Sequence, residues 1–240
     1  MIKKKFFVHS TYDLEGTEGR ARKADLCRKI IQAYDSPLIR WYCRIRFHII
    51  NIDFLDTLEQ HLTNNAKVLD IGCGFGLFAL YYALNAPQRL ITGFDLSKPR
   101  VDEANLVANK LGVQNVEFFC QDAQSYEFLQ DFDVVVTLDL LHHVSSETAE
   151  KLIGQAYQAL TPRGILIIKD VNTRPLHKLY FTYILDKLMM PRSSVHYRST
   201  WAWKAALTKA GFEQVISYPL NDYLPYPHVL IIAHKHGPMA

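Results

Sequence analysis

Short apolar runs and longer segments of helical periodicity alternate along the middle of the chain. The runs are rich in β-branched and aromatic residues and predict five strands, over Val68–Ile71, Leu90–Asp95, Val116–Cys120, Phe132–Leu138 and Ile165–Asp170. The segments between them carry apolar residues at helical spacing and predict helices over Phe75–Asn85, Lys98–Leu111 and Ser146–Leu160. Strands separated by helices favour right-handed crossovers and a parallel sheet with helices on both faces.

The alternation stops after Val171. We predict an inserted helix over Leu176–Met190, within a segment of residues 172–200 on the substrate side of the sheet. Three further elements follow, a helix and two strands that flank a proline-rich loop, over Thr200–Ala210, Phe212–Tyr218 and Val229–Lys235. We therefore expect an α/β fold with a seven-stranded, mostly parallel sheet and a C-terminal antiparallel hairpin.

Residues 1–63 are predicted to form a helical arm or lid in front of the sheet domain of residues 64–240. Ser36-Pro37 is typical of a helix start, with serine as the cap and proline in the first position. Apolar and aromatic residues continue at helical spacing from Leu38 to Leu62, and arginines accompany the first half. Such a helix packs against a sheet, covers a substrate pocket or lies on a membrane surface, and the sequence leaves these roles open.

Charge is unevenly distributed along the chain. Residues 1–46 contain 11 Lys/Arg and 5 Asp/Glu, and residues 172–204 contain 6 and 1, whereas residues 47–171 contain 8 and 16. An acidic centre is thus flanked by two basic segments, which either meet a substrate or only aid solubility. Apolar residues make up 49% of the chain and charged residues 21%, as in a folded globular protein.

The four cysteines, Cys27, Cys43, Cys73 and Cys120, form no CxxC pair. We interpret them as reduced thiols of a cytoplasmic protein without a zinc site, and we expect Cys73 and Cys120 to be buried. The first residues carry charge without a sustained apolar region, and no apolar run is long enough to span a membrane.

One stretch, Ala66–Leu80, combines an apolar strand, an acid and three closely spaced glycines. Gly72, Gly74 and Gly76 predict a tight turn that brings bare backbone against a ligand at the carboxyl end of a strand. The acid Asp70, just before the turn, favours a ligand with an ammonium or sulfonium charge over a pyrophosphate. Leu77 stands where a dinucleotide-binding fingerprint has its last glycine.

The second predicted strand ends in Asp95, which is well placed to accept hydrogen bonds from two ribose hydroxyls. An acid there suits any adenosine ligand, NAD included, so Asp95 alone does not discriminate between them. An NAD-dependent reductase is disfavoured by Leu77.

Five segments in this order resemble the motifs of class I S-adenosylmethionine-dependent methyltransferases. They are Val68-Leu-Asp-Ile-Gly-Cys-Gly-Phe-Gly76, Gly93-Phe-Asp-Leu-Ser97, Gln121-Asp-Ala123, Asp133-Val-Val-Val-Thr-Leu-Asp-Leu-Leu-His-His-Val144 and Leu160-Thr-Pro-Arg-Gly164. The resemblance covers residues 64–171 and implies a Rossmann-like fold with S-adenosylmethionine as the cofactor.

The resemblance also implies a set of cofactor-binding residues, namely Asp70, Gly72, Gly74, Asp95, Leu96, Asp122, Ala123 and Leu138. The methionine portion would lie against Asp70 and the two glycines, and the ribose hydroxyls against Asp95. Leu96 would pack on the adenine, Asp122 and Ala123 would meet its amino edge, and Leu138–Leu140 would line the methionine end. Asp122 could instead cap its own loop, and the role of Asp139 stays open.

Methyl transfer needs a base only when the acceptor must lose a proton. His143 and His142, after the fourth strand, are the candidate bases, because an imidazole titrates near neutrality. In this family such histidines often only shape the pocket, and Lys169 and Asp170 are alternatives. We expect no metal, since metal-dependent catechol chemistry would need more carboxylates near this edge.

The inserted segment supplies the candidate acceptor-binding residues, Arg174, Tyr180, Tyr183, His196, Tyr197 and Arg198. Their mixture of apolar and cationic groups favours a small-molecule or lipid-like acceptor with an anionic group, free or carrier-bound. The alternative is a helix that covers the core or forms a dimer. Basic aromatic helices would also suit peripheral membrane contact. Nucleic acid is not expected, because the basic residues do not line a groove.

The predicted function is methylation of such an acceptor, at oxygen. The alternative is a non-catalytic subunit that binds S-adenosylmethionine within a biosynthetic assembly. The intact Asp70, glycine and Asp95 set supports cofactor binding in both cases and does not separate them.

Overall fold

The computed structural model describes residues 16–126, 131–189, 194–220 and 225–237. The predicted end of the inserted helix at Met190-Pro191 and the first fifteen residues of the predicted arm lie outside these ranges. The chain divides into two compact units, Met1–Leu58 and Glu59–Ala240. The prediction from sequence placed this boundary after residue 63.

The first unit contains helices α1 (Gly16–Ala33), α2 (Pro37–Ile49) and most of α3 (Ile52–Glu59). Ser36 caps α2 as predicted, since its hydroxyl oxygen accepts a hydrogen bond from the Ile39 amide at 3.4 Å. The single helical pattern predicted over Leu38–Leu62 is divided into two helices. The Asn51 side-chain oxygen accepts a hydrogen bond from the Phe54 amide at 3.0 Å, and this capping bond marks the start of α3 as a separate helix.

In the part of the second unit that the structure describes there are seven strands: β1 (Lys67–Ile71), β2 (Leu90–Asp95), β3 (Val116–Cys120), β4 (Phe132–Leu138), β5 (Leu160–Val171), β6 (Gln214–Leu220) and β7 (His228–His234). The helices described between them are α4 (Leu77–Asn85), α5 (Lys98–Leu111), α6 (Ser146–Ala159), α7 (Leu176–Met189) and α8 (Thr200–Lys209). A short 3-10 turn, Leu141–His143, follows β4.

The strand order is β3-β2-β1-β4-β5-β7-β6. The first five strands are parallel, and β7 runs antiparallel to both of its neighbours, β5 and β6. The predicted α/β fold, with its antiparallel ending, is therefore confirmed. Because β1 has β2 on one side and β4 on the other, the chain reverses direction across the sheet at β1. In such sheets ligands bind at that reversal, outside the carboxyl ends of the strands.

Some predicted boundaries were wrong, for local reasons. Helix α4 begins at Leu77 rather than Phe75, because Gly76 has a left-handed backbone with φ of 75°. Strand β5 begins at Leu160 rather than Ile165, because Leu160 already pairs with Phe132 of β4. All four cysteines are free, as expected.

Cys120 is exposed, contrary to the prediction, because it lies at the end of the edge strand β3. Among the described residues, no helix combines the length and apolar character that a membrane-crossing segment requires.

Candidate functional site

The glycine turn after β1 is fastened to β2. The amides of Gly72 and Cys73 both donate to the Phe94 carbonyl, at 2.9 and 3.0 Å. Gly72, Gly74 and Gly76 have φ angles of 77°, 56° and 75°, in the left-handed region where glycine is the residue without strain. The turn is thus a rigid backbone feature at the carboxyl edge of the sheet.

The space beside Gly74 is open. A Cβ atom built on Gly74 would have no heavy atom within 4 Å, whereas one on Gly76 would lie 2.6 Å from Cζ of Phe118. Gly76 is therefore needed for packing, while Gly74 leaves room for a ligand directly against the backbone.

Substituting Gly74 with alanine should reduce ligand affinity without preventing folding. Gly112, which ends α5, provides a matched control, since it has a φ of 67° and likewise no heavy atom near its Cβ position. Each Gly→Ala change should cost about 1–2 kcal/mol of unfolding free energy, because alanine is strained in the left-handed region. Only Gly74→Ala should also weaken S-adenosylmethionine binding, by about tenfold or more in calorimetry. Equal affinities for the two variants would contradict a ligand contact at Gly74.

Asp70, at the end of β1, is buried at 7% exposure. Burial, and after it the negative charge of Asp95, raises the pKa of the Asp70 carboxyl to about 7. A positively charged group beside Asp70 would lower the pKa of its carboxyl again and so favour the ionised form. The residues therefore fit the ammonium and sulfonium charges expected from the sequence.

Asp95 is held by the backbone of two turns. One carboxylate oxygen accepts from the Gly74 amide at 3.0 Å, and the other accepts from the Ser97 amide at 2.8 Å. Each oxygen keeps a further acceptor position, so both can also receive a ribose hydroxyl. Asp95 is thereby oriented toward the open space beside Gly74.

The predicted adenine-side residues surround the end of β3. Leu96 is 72% exposed, so its side chain is accessible to a ligand. Asp122 caps its own loop, the alternative considered from sequence, because one of its oxygens accepts from the Gln124 amide at 2.9 Å. Ala123 packs against the core, and Leu138 is buried at the end of β4. Contact of these residues with the cofactor stays a prediction.

Asp139, whose role the sequence left open, forms a buried ion pair. The Lys169 ammonium is 2.6 and 2.7 Å from the two Asp139 carboxylate oxygens and 3.4 Å from Nε2 of His228. The backbone of Asp139 is left-handed, with φ of 58°, and its amide donates to the Lys169 carbonyl at 2.8 Å. This pair fixes the loop that continues to Leu140, whose side chain lies over Gly72.

Removing the Lys169 charge should destabilise the fold. Lys169→Met leaves the Asp139 carboxylate without its cation, and breaking a buried pair in this way costs about 3–5 kcal/mol. The double variant Lys169→Met/Asp139→Asn should recover most of that loss in denaturant unfolding, because asparagine removes the charge and tolerates the left-handed backbone at this position. Lys98→Met, which breaks the exposed pair with Asp102, is the matched control and should change stability little. Equal effects of the two single variants would contradict a buried pair.

The candidate base His142 is paired with Asp170 at the end of β5. Nδ1 of His142 is 2.6 Å from a carboxylate oxygen of Asp170, and both side chains are almost completely buried. Burial lowers the pKa of His142, but the negative charges of Asp170, Asp139 and Asp186 outweigh it, and the net shift is upward. Asp170 was considered from sequence as an alternative base, and the structure shows it as the partner of His142.

His143 has a different environment. Burial, and then the neighbouring His142, lowers the pKa of His143 to about 4, so its ring is neutral at physiological pH. Its Nδ1 is buried and has no hydrogen-bond partner among the described residues. Catalysis by either histidine stays a prediction, and the pairing with Asp170 favours His142.

Two groups at this site were not found from sequence. Asp186 of α7 accepts a hydrogen bond from the Tyr197 hydroxyl at 2.7 Å and lies 3.8 Å from Nε2 of His142. His228, the first residue of β7, reaches the Lys169 ion pair. The sequence contains a feature that could have identified Asp186, since it is the single acidic residue of the basic segment 172–204.

The predicted acceptor-binding residues do not form one group. His196 and Tyr197 lie beside the histidines, since the His196 amide donates to the His142 carbonyl at 2.7 Å. Arg174, Tyr180 and Tyr183 are exposed. Arg198 is buried, and its guanidinium donates to the Ser146 carbonyl at 2.6 Å and lies over the ring of Trp203. A structural role accounts for Arg198.

Comparison with known proteins agrees with this geometry. A family profile described as "Methyltransferase domain" matches residues 68–164. A ubiquinone biosynthesis O-methyltransferase of Coxiella burnetii is 33% identical over 127 residues, which are 52% of this chain and 52% of that protein. A carboxy-S-adenosyl-L-methionine synthase of Helicobacter hepaticus is 35% identical over 144 residues, 59% of this chain and 56% of that protein.

A solved structure, an S-adenosylmethionine-dependent methyltransferase of Methanosarcina mazei, shares the fold. Its TM-score is 0.60 at 22% identity, over 75% of this chain and 97% of that one. This chain spans about half the length of the two curated relatives. The matched profile covers the glycine turn, Asp95 and both histidines. Through these motifs and this sheet, residues 68–164 form a methyltransferase domain of the class I S-adenosylmethionine-dependent superfamily, whose cofactor is S-adenosylmethionine.

Proposed function

We propose that this protein transfers the methyl group of S-adenosylmethionine to an oxygen of a small-molecule or lipid-like acceptor. The observation that carries the proposal is the polar cluster of His142, Asp170, Asp186 and Tyr197. It follows the carboxyl ends of β4 and β5, next to the loop that borders Gly72. The resemblance of the chain to the methyltransferase family implies that the methyl group of the cofactor lies on the same side of the sheet as this cluster.

Methyl transfer from a sulfonium depends mainly on alignment, which contributes up to about 7–11 kcal/mol in favourable cases. The acceptor oxygen forms a bond to the methyl carbon, the carbon–sulfur bond breaks, and the sulfur keeps the electron pair. An oxygen acceptor must in addition lose its proton. The imidazole and the carboxylates of the cluster are suited to bind a hydroxyl and to assist that loss.

Helix α7 supports an acceptor with an apolar body. It exposes an unusual number of large apolar side chains, namely Leu176, Tyr180, Phe181, Tyr183, Ile184 and Leu188.

Arg174, just before this helix, is exposed and available to an anionic group. Arg174→Glu should therefore raise the KM for an anionic acceptor. An unchanged KM would count against an anionic acceptor.

One of the two relatives supports oxygen as the acceptor atom, and the other is named for a different reaction. The Coxiella burnetii relative is named for O-methylation, whereas the Helicobacter hepaticus relative is named for synthesis of a modified S-adenosylmethionine. A site that binds S-adenosylmethionine therefore does not by itself specify methyl transfer. The competing function is a subunit that binds the cofactor without turnover.

Two measurements test the proposed function. Calorimetry should show binding of S-adenosylmethionine and none of NAD. The protein should then transfer a labelled methyl group to a component of an extract, and mass spectrometry with NMR should identify an O-methyl product. Paired acceptors with the same apolar body and either a hydroxyl or an amine should be methylated only at oxygen. Binding without transfer to any fraction would favour the non-catalytic alternative, and an N-methyl product would refute the oxygen assignment.

A lipid-like acceptor would be reached most directly from a membrane surface, and we propose that α7 meets it there. The helix combines its exposed apolar residues with Lys178 and Lys187. Vesicles containing phosphatidylglycerol should sediment the protein better than phosphatidylcholine vesicles. Leu188→Glu should reduce this binding, while Leu106→Glu, at an exposed position on α5, should not. Equal binding by both variants would contradict membrane contact through α7.

A further inference from the structure

Three metal-ligating side chains converge beside the acceptor side of the site. His142 and His143 come from the turn after β4, and Asp186 comes from α7. One ring nitrogen of each histidine and one carboxylate oxygen of Asp186 lie within 4.8 Å of one another. His142 is buried, and the other two are half-buried. Two imidazoles and a carboxylate thus meet at the protein interior rather than on an exposed acidic surface.

Asp170 orients His142 in the way that metal sites orient their histidines. It accepts the Nδ1 proton at 2.6 Å, so Nε2 carries the lone pair. Nε2 is the nitrogen that faces Asp186, at 3.8 Å. A carboxylate that fixes the tautomer of a histidine ligand in this manner is the common outer partner of a metal-bound imidazole.

The cluster also contains groups that the protein does not satisfy internally. Nδ1 of His143 and one carboxylate oxygen of Asp170 are buried and have no hydrogen-bond partner among the described residues. Leaving a buried polar group unpaired costs about 1–3 kcal/mol. Such groups in a native structure call for an explanation, and a bound ion beside them is one that also suits the donor atoms present here.

We propose that His142, His143 and Asp186 bind a divalent transition-metal ion of the zinc or iron(II) type. An N,N,O donor set suits these ions, whereas Mg²⁺ prefers oxygen ligands alone. When metal–ligand bonds are about 2.0–2.2 Å long, the donor atoms lie closer to one another than 4.8 Å. Metal binding therefore requires these donor atoms to approach one another by about 1 Å. The Tyr197 hydroxyl, bonded to Asp186, steadies the carboxylate for that movement.

Three protein ligands leave a coordination position open. The catalytic part of the inference rests on the proposed function: a hydroxyl oxygen of the acceptor occupies that position. The positive charge lowers the pKa of the hydroxyl, which releases its proton to solvent. The resulting oxygen anion then attacks the methyl carbon, and S-adenosylhomocysteine leaves with the electron pair of the broken carbon–sulfur bond. In this arrangement His142 is a ligand rather than the base.

Cobalt(II) provides a direct test of binding, because its visible absorption reports the coordination. The full chain, freed of metal with a chelator, should bind about one Co²⁺ per molecule with tetrahedral-type bands, and Zn²⁺ should displace it while Mg²⁺ should not. Asp186→Asn and His143→Ala should abolish the bands. Asp170→Asn should weaken binding by about 10–100-fold, since Asp170 only orients His142.

His236→Ala is the matched control, because His236 is an exposed histidine that pairs with Glu213 at 2.8 Å. It should bind Co²⁺ like the unmodified protein, and circular dichroism should confirm that every variant is folded. No Co²⁺ bands in the unmodified chain, or bands that persist in Asp186→Asn, would overturn the metal site. These spectra need neither cofactor nor acceptor, so a failed methylation assay does not affect them.

The catalytic part has its own readout. Methyl transfer, once an acceptor is found, should fall on chelation and return with Zn²⁺ or Fe²⁺, while calorimetric S-adenosylmethionine binding stays unchanged. Full activity of the metal-free protein would refute the role in transfer. Loss of S-adenosylmethionine binding itself would instead count against the proposed function.

Discussion

Replacing Asp95 with alanine is expected to reduce S-adenosylmethionine affinity by about a hundredfold or more. The carboxylate is positioned by the Gly74 and Ser97 amides so that both oxygens can also receive ribose hydroxyls. Hydrogen bonds to a charged group contribute about 1.5–3 kcal/mol each, and two of them account for a loss of that size. Calorimetry on the purified full chain measures it directly.

Two control variants separate a lost ligand contact from a disturbed turn. Asp95→Asn keeps the size of the side chain and one acceptor oxygen, so it should lose one of the two backbone contacts and bind with an affinity between those of the unmodified protein and Asp95→Ala. Asp102→Asn, in the exposed pair with Lys98, should bind like the unmodified protein. The prediction fails if Asp95→Ala folds and binds S-adenosylmethionine with nearly full affinity.

Cofactor affinity should also depend strongly on pH through Asp70. In the free protein the pKa of Asp70 is about 7, and the ligand's ammonium should hold it ionised in the complex. Binding therefore releases a proton, and the affinity should rise by about tenfold per pH unit below neutrality and level off near pH 7. Above about pH 8 it should fall again, as the ligand's amino group loses its own charge.

Asp70→Asn should remove the acidic limb of this profile and bind weakly at every pH. In the absence of ligand, however, the same substitution should increase the stability of the folded protein near neutral pH. Because burial raises the pKa of Asp70 in the folded state, the folded protein holds this proton more tightly than the unfolded chain does. Stability should therefore fall as pH rises from about 4 to about 7, by at most about 4 kcal/mol. Asp70→Asn should be free of that loss, and an unchanged pH profile would contradict the role of Asp70.

The strands of the sheet and its antiparallel ending could be predicted because their signals are local. Apolar runs and turn residues identify strands within a few positions, and the bounds of β2, β3 and β4 agree with the prediction. The cofactor turn was equally accessible, since Asp70 and the glycines are neighbours in sequence. Errors arose where a single side chain determines the boundary of a helix. Asn51 is an example, because it interrupts a continuous helical pattern.

The acceptor side could not be predicted in the same way. Its polar pairs join residues that are far apart in sequence, such as His142 with Asp170 and Lys169 with His228. Only the three-dimensional arrangement brings an acid of α7 toward the histidines after β4. The same arrangement turns Arg198 toward Ser146 and Trp203, although its charge had suggested contact with an acceptor.

The position of β7 between β5 and β6 has a consequence for synthesis of the chain. The edge of β5 stays without its partner until residues 228–234 have left the ribosome. Until then, a strand with the apolar centre Ile165–Ile168 offers unpaired amides and carbonyls to other nascent chains, a known route to aggregation. His228 lies in that strand, so the Lys169–Asp139 pair also gains its third member only then. A ribosome-stalled chain that ends before His228 should therefore depend on chaperones far more than the completed one.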